Sequence, residues 1–299
     1  MILILGSTGF IGRNVIEQLS QTHPGQVRAM IRKGGKRETI SRFPGIEIVE
    51  GDILDPASLK AAMQGVDTVL DYAQVTANFK NKNNLYTRIN VDGTKNVVAA
   101  AKEAGVKLFV LGSGLGTMEG KPGSYMRTRW EAEEAVRNSG LNWIIFQPSI
   151  LFGKGSEFFE AQARIMKLLP VATVIGNGKT EFQPLYVGDL AKAIVASLSL
   201  PDKIGKHLPL GGPQFFTYKE LITMIARAIN KRRIKIYLPL WAAKINAGLF
   251  NLLPKPPLTP ATLELFGFDN VTNEPQIIER EFGFKPVALK DYLDKHGIL

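Results

Sequence analysis

Met1-Ile-Leu-Ile-Leu5-Gly6-Ser7-Thr8-Gly9-Phe10-Ile11-Gly12-Arg13 runs an apolar stretch straight into a G-x-x-G-x-x-G loop. The apolar run is short and ends at Gly6, and no basic segment precedes it, so it reads as a buried strand and not as an export signal. An amphipathic helical pattern follows over Gly12–Gln21. A strand, a glycine loop and a helix N-terminus in succession make a pyrophosphate cradle. The glycines allow a tight turn and a close backbone approach, and the helix end favours negative charge. The loop therefore nominates Gly6, Thr8, Gly9, Phe10, Ile11, Gly12 and Arg13 as dinucleotide contacts.

Outward from this loop, β-rich runs at Gln26–Arg32, Ile46–Glu50, Asp67–Asp71, Lys107–Leu111 and Asn142–Phe146 alternate with helical patterns. The helical patterns cover Pro56–Gln64, Asn90–Ala104 and Tyr125–Ser139. Repeated βαβ units predict an α/β fold, a doubly wound parallel Rossmann sheet. Beyond about Phe152 prolines become frequent and the rhythm breaks. The predicted organisation is a cofactor domain over 1–150, rejoined by about 183–210, and a smaller substrate-binding lobe over 151–182 and 211–299 that closes a cleft over the nicotinamide end. Asp189 is expected to cap a helix over Leu190–Ser199.

The second strand decides the cofactor. NAD-binding proteins end it with an acid that accepts from the ribose 2′-hydroxyl, whereas this chain reads Val27-Arg-Ala-Met-Ile-Arg32-Lys33. Arg32 and Lys33, with Arg13, are placed for a 2′-phosphate, so the expected cofactor is NADP(H).

Composition closes other routes. The 299 residues include no cysteine, which removes disulfides, thiolate metal sites and cysteine nucleophiles. His23, His207 and His296 are scattered, so no metal site is expected. No apolar stretch reaches the roughly 18 residues of a spanning helix, and a cytoplasmic protein, peripheral to a membrane at most, is expected. The net charge of +10 calls for an anionic partner or a simply basic surface. Nucleic acid is not expected, because no recognition motif accompanies the charge.

Gly6–Gly12, Gly51-Asp52, Asn90-Val-Asp-Gly-Thr94, Tyr125-x-x-x-Arg129 and Pro148 together resemble an extended or atypical short-chain dehydrogenase/reductase over nearly the whole chain. Phe182-Gln-Pro-Leu-Tyr-Val-Gly-Asp189-Leu-Ala, Pro256-Pro-Leu-Thr-Pro260 and Phe266–Asn270 resemble the atypical branch that includes relatives of the NADPH-binding accessory subunit of respiratory complex I. The resemblance implies that Asp52 and Ile53 border the adenine, Ala73 and Gln74 lie beside the cofactor, and Asn90 supports the sheet. It also implies that Pro148, Ser149 and Ile150 flank the nicotinamide. Complex assembly and quinone metabolism are the functions it brings with it.

Active members of that family use a hydroxyl residue at the fifth strand's end, a Tyr, and a Lys four residues later. Here Tyr125 is kept, the Lys position is Arg129, and the strand end reads Ser113-Gly114 where the second hydroxyl is commonly catalytic. Arg129 keeps the positive charge but not the compact shape of an ammonium. Gln147 stands where the family often has Arg. The expectation is a cofactor binder of weakened catalysis. The alternative is an active NADPH-dependent oxidoreductase or epimerase using Tyr125, Arg129 and Ser113 on a carbonyl, quinone or sugar-nucleotide substrate. Phe152, Phe158, Phe159 and Trp241 suggest an apolar, quinone-like ligand.

Asn230-Lys-Arg-Arg233-Ile-Lys235 leads into a helical stretch in which Trp241, Ile245, Leu249 and Leu252 recur at helical spacing, interrupted by Lys244 and Asn251. That stripe is read first as packing on the second lobe, with placement at a membrane surface, or docking on a membrane complex, as the alternative.

Overall fold

Buried apolar strands and capped amphipathic helices generate the architecture. In the computed structural model, which describes residues 1–250 and 258–298, β1 (Ile2–Leu5) is buried at every position, as a strand covered on both faces requires. It is followed by α1 (Phe10–Thr22), β2 (Val27–Ile31), β3 (Ile46–Glu50), α2 (Pro56–Ala62), β4 (Thr68–Asp71), α3 (Thr94–Glu103), β5 (Leu108–Gly112), α4 (Tyr125–Arg137) and β6 (Trp143–Pro148). Asp55 caps α2 by accepting from Ala57 N–H with Pro56 in the first turn, and Ser124 caps α4 by accepting from Arg127 N–H. The chain continues through β7 (Leu151–Phe152), α5 (Glu157–Leu168), β8 (Val171–Ile175), β9 (Glu181–Phe182), β10 (Leu185–Tyr186), α6 (Val187–Ser197) and β11 (Lys206–Leu210). It ends with β12 (Phe216–Thr217), α7 (Tyr218–Ala228), β13 (Ile234–Leu238), α8 (Leu240–Phe250), α9 (Pro260–Glu264), α10 (Ile277–Phe282) and α11 (Leu289–His296).

The central sheet has seven strands in the order β11-β6-β5-β4-β1-β2-β3. The pairs β3–β2, β2–β1, β1–β4, β4–β5 and β5–β6 are all parallel. The α/β, doubly wound sheet expected from the alternation is therefore present. Its strand order reverses between β1 and β4, and ligands of such sheets sit outside the strand ends at that switch point.

Two units can be distinguished. The first comprises Met1–Thr76, Asn81–Gln147 and Leu190–Leu208, and the second Ala77–Lys80, Pro148–Asp189 and Pro209–Leu299. Leu3, Leu5, Val69, Phe109, Leu111 and Ile145 form the core of the first, packed against Leu59, Val97 and Val136 from its helices. In the second, Phe152, Phe159, Phe182, Tyr218, Leu221 and Ile225 are fully buried together. Gln183 ties this unit internally. Its amide donates to the Gly212 carbonyl at 2.8 Å and accepts from Thr272 N–H at 2.8 Å.

Several expectations are corrected. Asp189 is not the cap of α6, because the helix already begins at Val187, and the Asp189 carboxylate accepts from Val287 N–H at 2.6 Å. The helix expected from Asn90 starts earlier, as a π-helical stretch Thr87–Gly93 leading into α3. Phe152 and Phe159 are core residues in edge-to-face contact, not the lining of a ligand site, and Trp241 is 69% exposed. Among the described side chains of α8 the buried ones are Ala243 and Ala247, so the Trp241–Ile245 stripe faces outward and not into the core. Asn251, Leu252, Pro256 and Pro257 lie outside the described residues, as does the Leu249 side chain.

Asp71, the last residue of β4, is buried, and loss of solvation raises its carboxyl from the ordinary range to about 6. The folded protein thus binds more protons than the unfolded chain between about pH 4 and 6, and stability falls as pH rises through that window. Asp71→Asn keeps an acceptor for Ala73 N–H and carries no charge. Thermal unfolding from pH 4 to 8 should show the variant gaining about 3 kcal/mol over the parent above pH 6 and nothing at pH 4. Parallel curves would overturn the assignment.

Candidate cofactor site

At the switch point the loop after β1 meets the turn after β4, and the meeting is backbone against backbone. Gly6 has φ +69°, and a Cβ there would lie 2.3 Å from the Tyr72 carbonyl oxygen and 2.7 Å from Ala73 N. Gly9 N–H donates to Gly6 O at 3.0 Å, closing the turn. A Cβ on Gly12 would lie 2.3 Å from Gly6 O, so the first turn of α1 sits directly on the loop. Ser7 fastens the loop to β2 by donating to Met30 O at 2.8 Å. Gly9, the cap residue of α1, has no side chain to satisfy the first helical N–H groups, which suits an anion at that end. Thr8, Phe10 and Ile11 flank the turn, and the Arg13 guanidinium stands 5.5 Å from the Phe10 ring centroid.

Beside the loop, a cavity of about 510 Å³ is lined by Arg32, Lys33, Gly34, Gly35, Glu50, Gly51, Asp52, Asp55 and Ser58. Arg32, Lys33 and Asp52, nominated separately from the sequence, are thus brought together at the ends of β2 and β3. Asp52 is fixed there, its carboxylate accepting from Leu54 N–H and its own N–H donating to Ser58. Ile53 turns into the core, filling the space above Gly93, where a Cβ would come within 2.5 Å of it. Asn90 is fully buried and clamps the segment after β4, accepting from Val75 N–H at 2.8 Å and donating to Val75 O at 3.3 Å.

Tyr125, Arg129 and Glu133 line the inward side of α4, four residues apart. Arg129 donates to the Tyr125 hydroxyl at 3.2 Å and to Gly112 O at 3.5 Å. Tyr125 packs edge-to-face on Tyr86, with ring centroids 5.6 Å apart. Ser113 donates its hydroxyl to buried Glu133. Glu133 also accepts from Thr117 at 2.9 Å and from the Gln147 amide at 2.9 Å, and pairs with Arg137 at 2.9 Å. A Cβ on Gly114 would lie 3.5 Å from the Arg129 guanidinium, an ordinary contact, so a side chain could begin there without displacing it.

Buried polar atoms left without partners test whether a nucleotide suits this pocket. Among the described residues these atoms include both amide atoms of Gln74, Nε of Arg129 and the Tyr72 hydroxyl. Gln74 follows β4 at the switch point, and Arg129 adjoins Tyr125, so two of these side chains are where a bound polar group would satisfy them. The glycine cradle, the cavity with Arg32 and Lys33 on its wall and these unsatisfied polar atoms fit a dinucleotide. Pro148, Ser149 and Ile150 belong to the second unit, where the Ser149 hydroxyl donates to Asn270 O at 2.7 Å.

The sequence profile of a family described as NAD(P)H-binding matches residues 6–164. The chain belongs to that family. Among curated relatives, NADH dehydrogenase (ubiquinone) 1 alpha subcomplex subunit 9 of Arabidopsis thaliana, a mitochondrial protein, is 27% identical over 296 residues, covering 96% of this chain and 73% of the relative. The NAD(P)H azoreductase of Xenophilus azovorans is 29% identical over 232 residues, covering 77% and 74% respectively. An NADPH-dependent quinone oxidoreductase of Escherichia coli, solved with NADPH, superposes with a TM-score of 0.76 at 22% identity, covering 98% of this chain and 99% of that one, which bears out the fold.

As a member of the NAD(P)H-binding family, the chain holds features that sequence reasoning passed over. Glu133 reads as an ordinary helix-surface acid, and only its position four residues after Arg129 and eight after Tyr125 hints that it points inward. Tyr72 gave no signal; its ring fills the space over Gly112, where a Cβ would come within 2.3 Å of it. Among the described residues no cluster of His, Cys, Asp or Glu could hold a metal ion. Gly12→Ala should weaken NADPH binding at least about tenfold in a fluorescence titration while circular dichroism stays native, because the new methyl must push the loop off Gly6 O. Unchanged affinity would show that the loop does not set the pyrophosphate seat.

Proposed function

We propose that the protein holds NADP(H) as a resident cofactor in its first unit, turns it over slowly or not at all, and serves a quinone-linked or respiratory-complex role at the periphery of a membrane. The observation that carries this reading is the Ser113–Glu133 hydrogen bond. It commits the strand-end hydroxyl proton to a buried carboxylate, so that proton is not available to a substrate carbonyl. Arg129 and Gly114 point the same way, since general acid–base groups are typically worth about 10²–10⁴-fold in rate and two of three positions are altered. The similarity to a complex I subunit over 96% of the chain supports the setting.

In this reading Gly6, Gly9 and Gly12 seat the pyrophosphate, Asp52 and Ile53 border the adenine, and Arg32 and Lys33 pair with the 2′-phosphate. Gln74 and the free Nε edge of Arg129 meet the nicotinamide half. Bound NADPH would supply a hydride. The Tyr125 oxygen accepts from Arg129, which sets the phenol beside the guanidinium. The second unit is the substrate-binding lobe, and Pro148, Ser149 and Ile150 begin its first long segment.

A second reading, an active reductase of quinone-like or azo substrates, is favoured by the intact Tyr125–Arg129 contact and by the azoreductase relative. Purified protein carrying NADPH whose 340 nm absorbance persists with quinones and carbonyl compounds supports the first reading. Steady oxidation abolished by Tyr125→Phe establishes the second. Arg32→Asp should raise the Kd for NADPH by about tenfold or more, the worth of one charge-assisted phosphate pair, and leave NADH within about twofold. Equal losses for both nucleotides would remove the 2′-phosphate assignment.

A further inference from the structure

The second unit carries an apolar surface whose own segments bear cations and no acids. The segment ending α5 leaves Leu168 83% exposed and Leu169 exposed beside it. Its Pro170 carbonyl accepts from Ile234 N–H, joining it to the start of β13. β13 pairs in parallel with β8, and Ile234 and Ile236, two residues apart, share the strand face that points away from the core residues Ala172 and Val174. Two residues after β13, α8 turns its alanines inward and presents Trp241 and Ile245, 69% and 58% exposed, to the outside. Leu240 at the start of α8 lies 3.7 Å from the Cβ position of Gly176, just after β8, so strand ribbon and helix are continuous.

This arrangement inverts ordinary amphipathicity. A surface helix normally buries its large apolar residues and exposes polar ones. Here the small residues are inside and an indole and an isoleucine are outside, while strand-borne isoleucines and the two leucines extend the same surface. Single exposed apolar residues mean little, but a contiguous set marks an interaction site.

Charge identifies the occupant. From residue 161 to 180, and again from 221 to 263, the sequence contains no Asp or Glu. The same stretches carry Lys167, Lys231, Arg232 and Lys244, all exposed next to the apolar residues. A second copy docked through the same patch would set these cations against one another. A surface of anionic lipid headgroups satisfies both halves: cations at the headgroup level, aromatic and aliphatic side chains below it. Among the described residues no helix is long and apolar enough to cross a membrane, so the contact is one of lying on a surface.

We propose that the face formed by the end of α5, the outer side of β13 and the outer side of α8 docks on an anionic bilayer, with Trp241 and Ile245 inserted and Lys231, Arg232 and Lys244 at the phosphates. This rests on the peripheral-membrane reading given above and names the surface that performs it. Flotation of the full chain with phosphatidylcholine vesicles, with and without about a third phosphatidylglycerol, tests it. Binding is expected to the anionic vesicles only. Lys231→Gln/Arg232→Gln/Lys244→Gln should lower the partition coefficient by about a hundredfold, at roughly fivefold per cation. Trp241→Ser/Ile245→Ser should abolish binding that survives moderate salt. NADPH titration of the same preparations reports the fold and the cofactor reading independently, so a protein that floats but binds no nucleotide would sink the cofactor proposal and leave this one standing. Native, NADPH-binding protein that does not float, or floats equally well in both variants, would overturn the docking surface. So would a concentration-dependent dimer lost in Trp241→Ser/Ile245→Ser, which would give the patch to a second copy.

Discussion

Two carbonyl oxygens limit what can stand at the centre of the first unit. One belongs to Tyr72 and the other to Gly6, and each lies 2.3 Å from where a side chain would begin on Gly6 and Gly12 respectively. Such contact is possible only between bare backbones, and it pulls the ends of β1 and β4 and the start of α1 into a single junction. That junction coincides with the reversal of strand order. The crevice that every doubly wound sheet forms there is thereby left without side-chain bulk at Gly6 and Gly12. The cavity at the ends of β2 and β3 and the Asn90 clamp on the segment after β4 lie along the same strand ends.

The part of the site that binds and the part that would react are built from different materials. In the proposed reading, binding rests on backbone approach and on a few exposed cations, and these depend on glycine and on strand ends. Reaction chemistry rests on side chains projecting from α4, where a single helix face carries Tyr125, Arg129 and Glu133 in register. The arginine reaches both the phenol and the Gly112 carbonyl, which a shorter ammonium would do differently. Glu133 gathers Ser113, Thr117, Gln147 and Arg137, and a buried carboxylate with that many donors is costly to disturb. Gln147, uncharged where the family often has Arg, is one of those donors. Stability of the sheet end and availability of the Ser113 proton are therefore in competition at one residue, and this structure resolves it toward stability.

This division explains what could be read from the sequence. Backbone-determined features are local: Gly6, Gly9 and Gly12, the missing acid at Arg32, and the alternation that orders the sheet all lie in consecutive residues. The cavity that joins Arg32, Lys33 and Asp52 was accessible because parallel neighbouring strands place their ends together. Features that need long-range placement were not. Asp189 looked like a cap because the turn before it resembles one, yet α6 starts two residues earlier and the carboxylate is engaged by Val287. Glu133 and Tyr72 are set by packing against β5, and nothing in their immediate sequence distinguishes a buried Glu from a solvated one. The aromatic residues Phe152, Phe159 and Trp241 form no common site, since residue type alone does not say which of them the fold turns inward.

The Trp241 stripe shows how a periodic pattern can be right in period and wrong in direction. Helical spacing of large apolar residues specifies a face but not the phase of that face relative to the core. In α8 the competing stripe, Ala243 and Ala247, is the one that packs, because small residues allow a closer approach to the second unit's own core. The larger residues are then exposed at a cost that grows with apolar area, about 25 cal/mol for each Å² kept in water. The lysines and arginine borne by the same segments add repulsion among like charges. Both costs fall together when one kind of surface covers the patch, apolar at depth and anionic at its edge, and that pairing ties the basic composition of the chain to a particular face of the second unit.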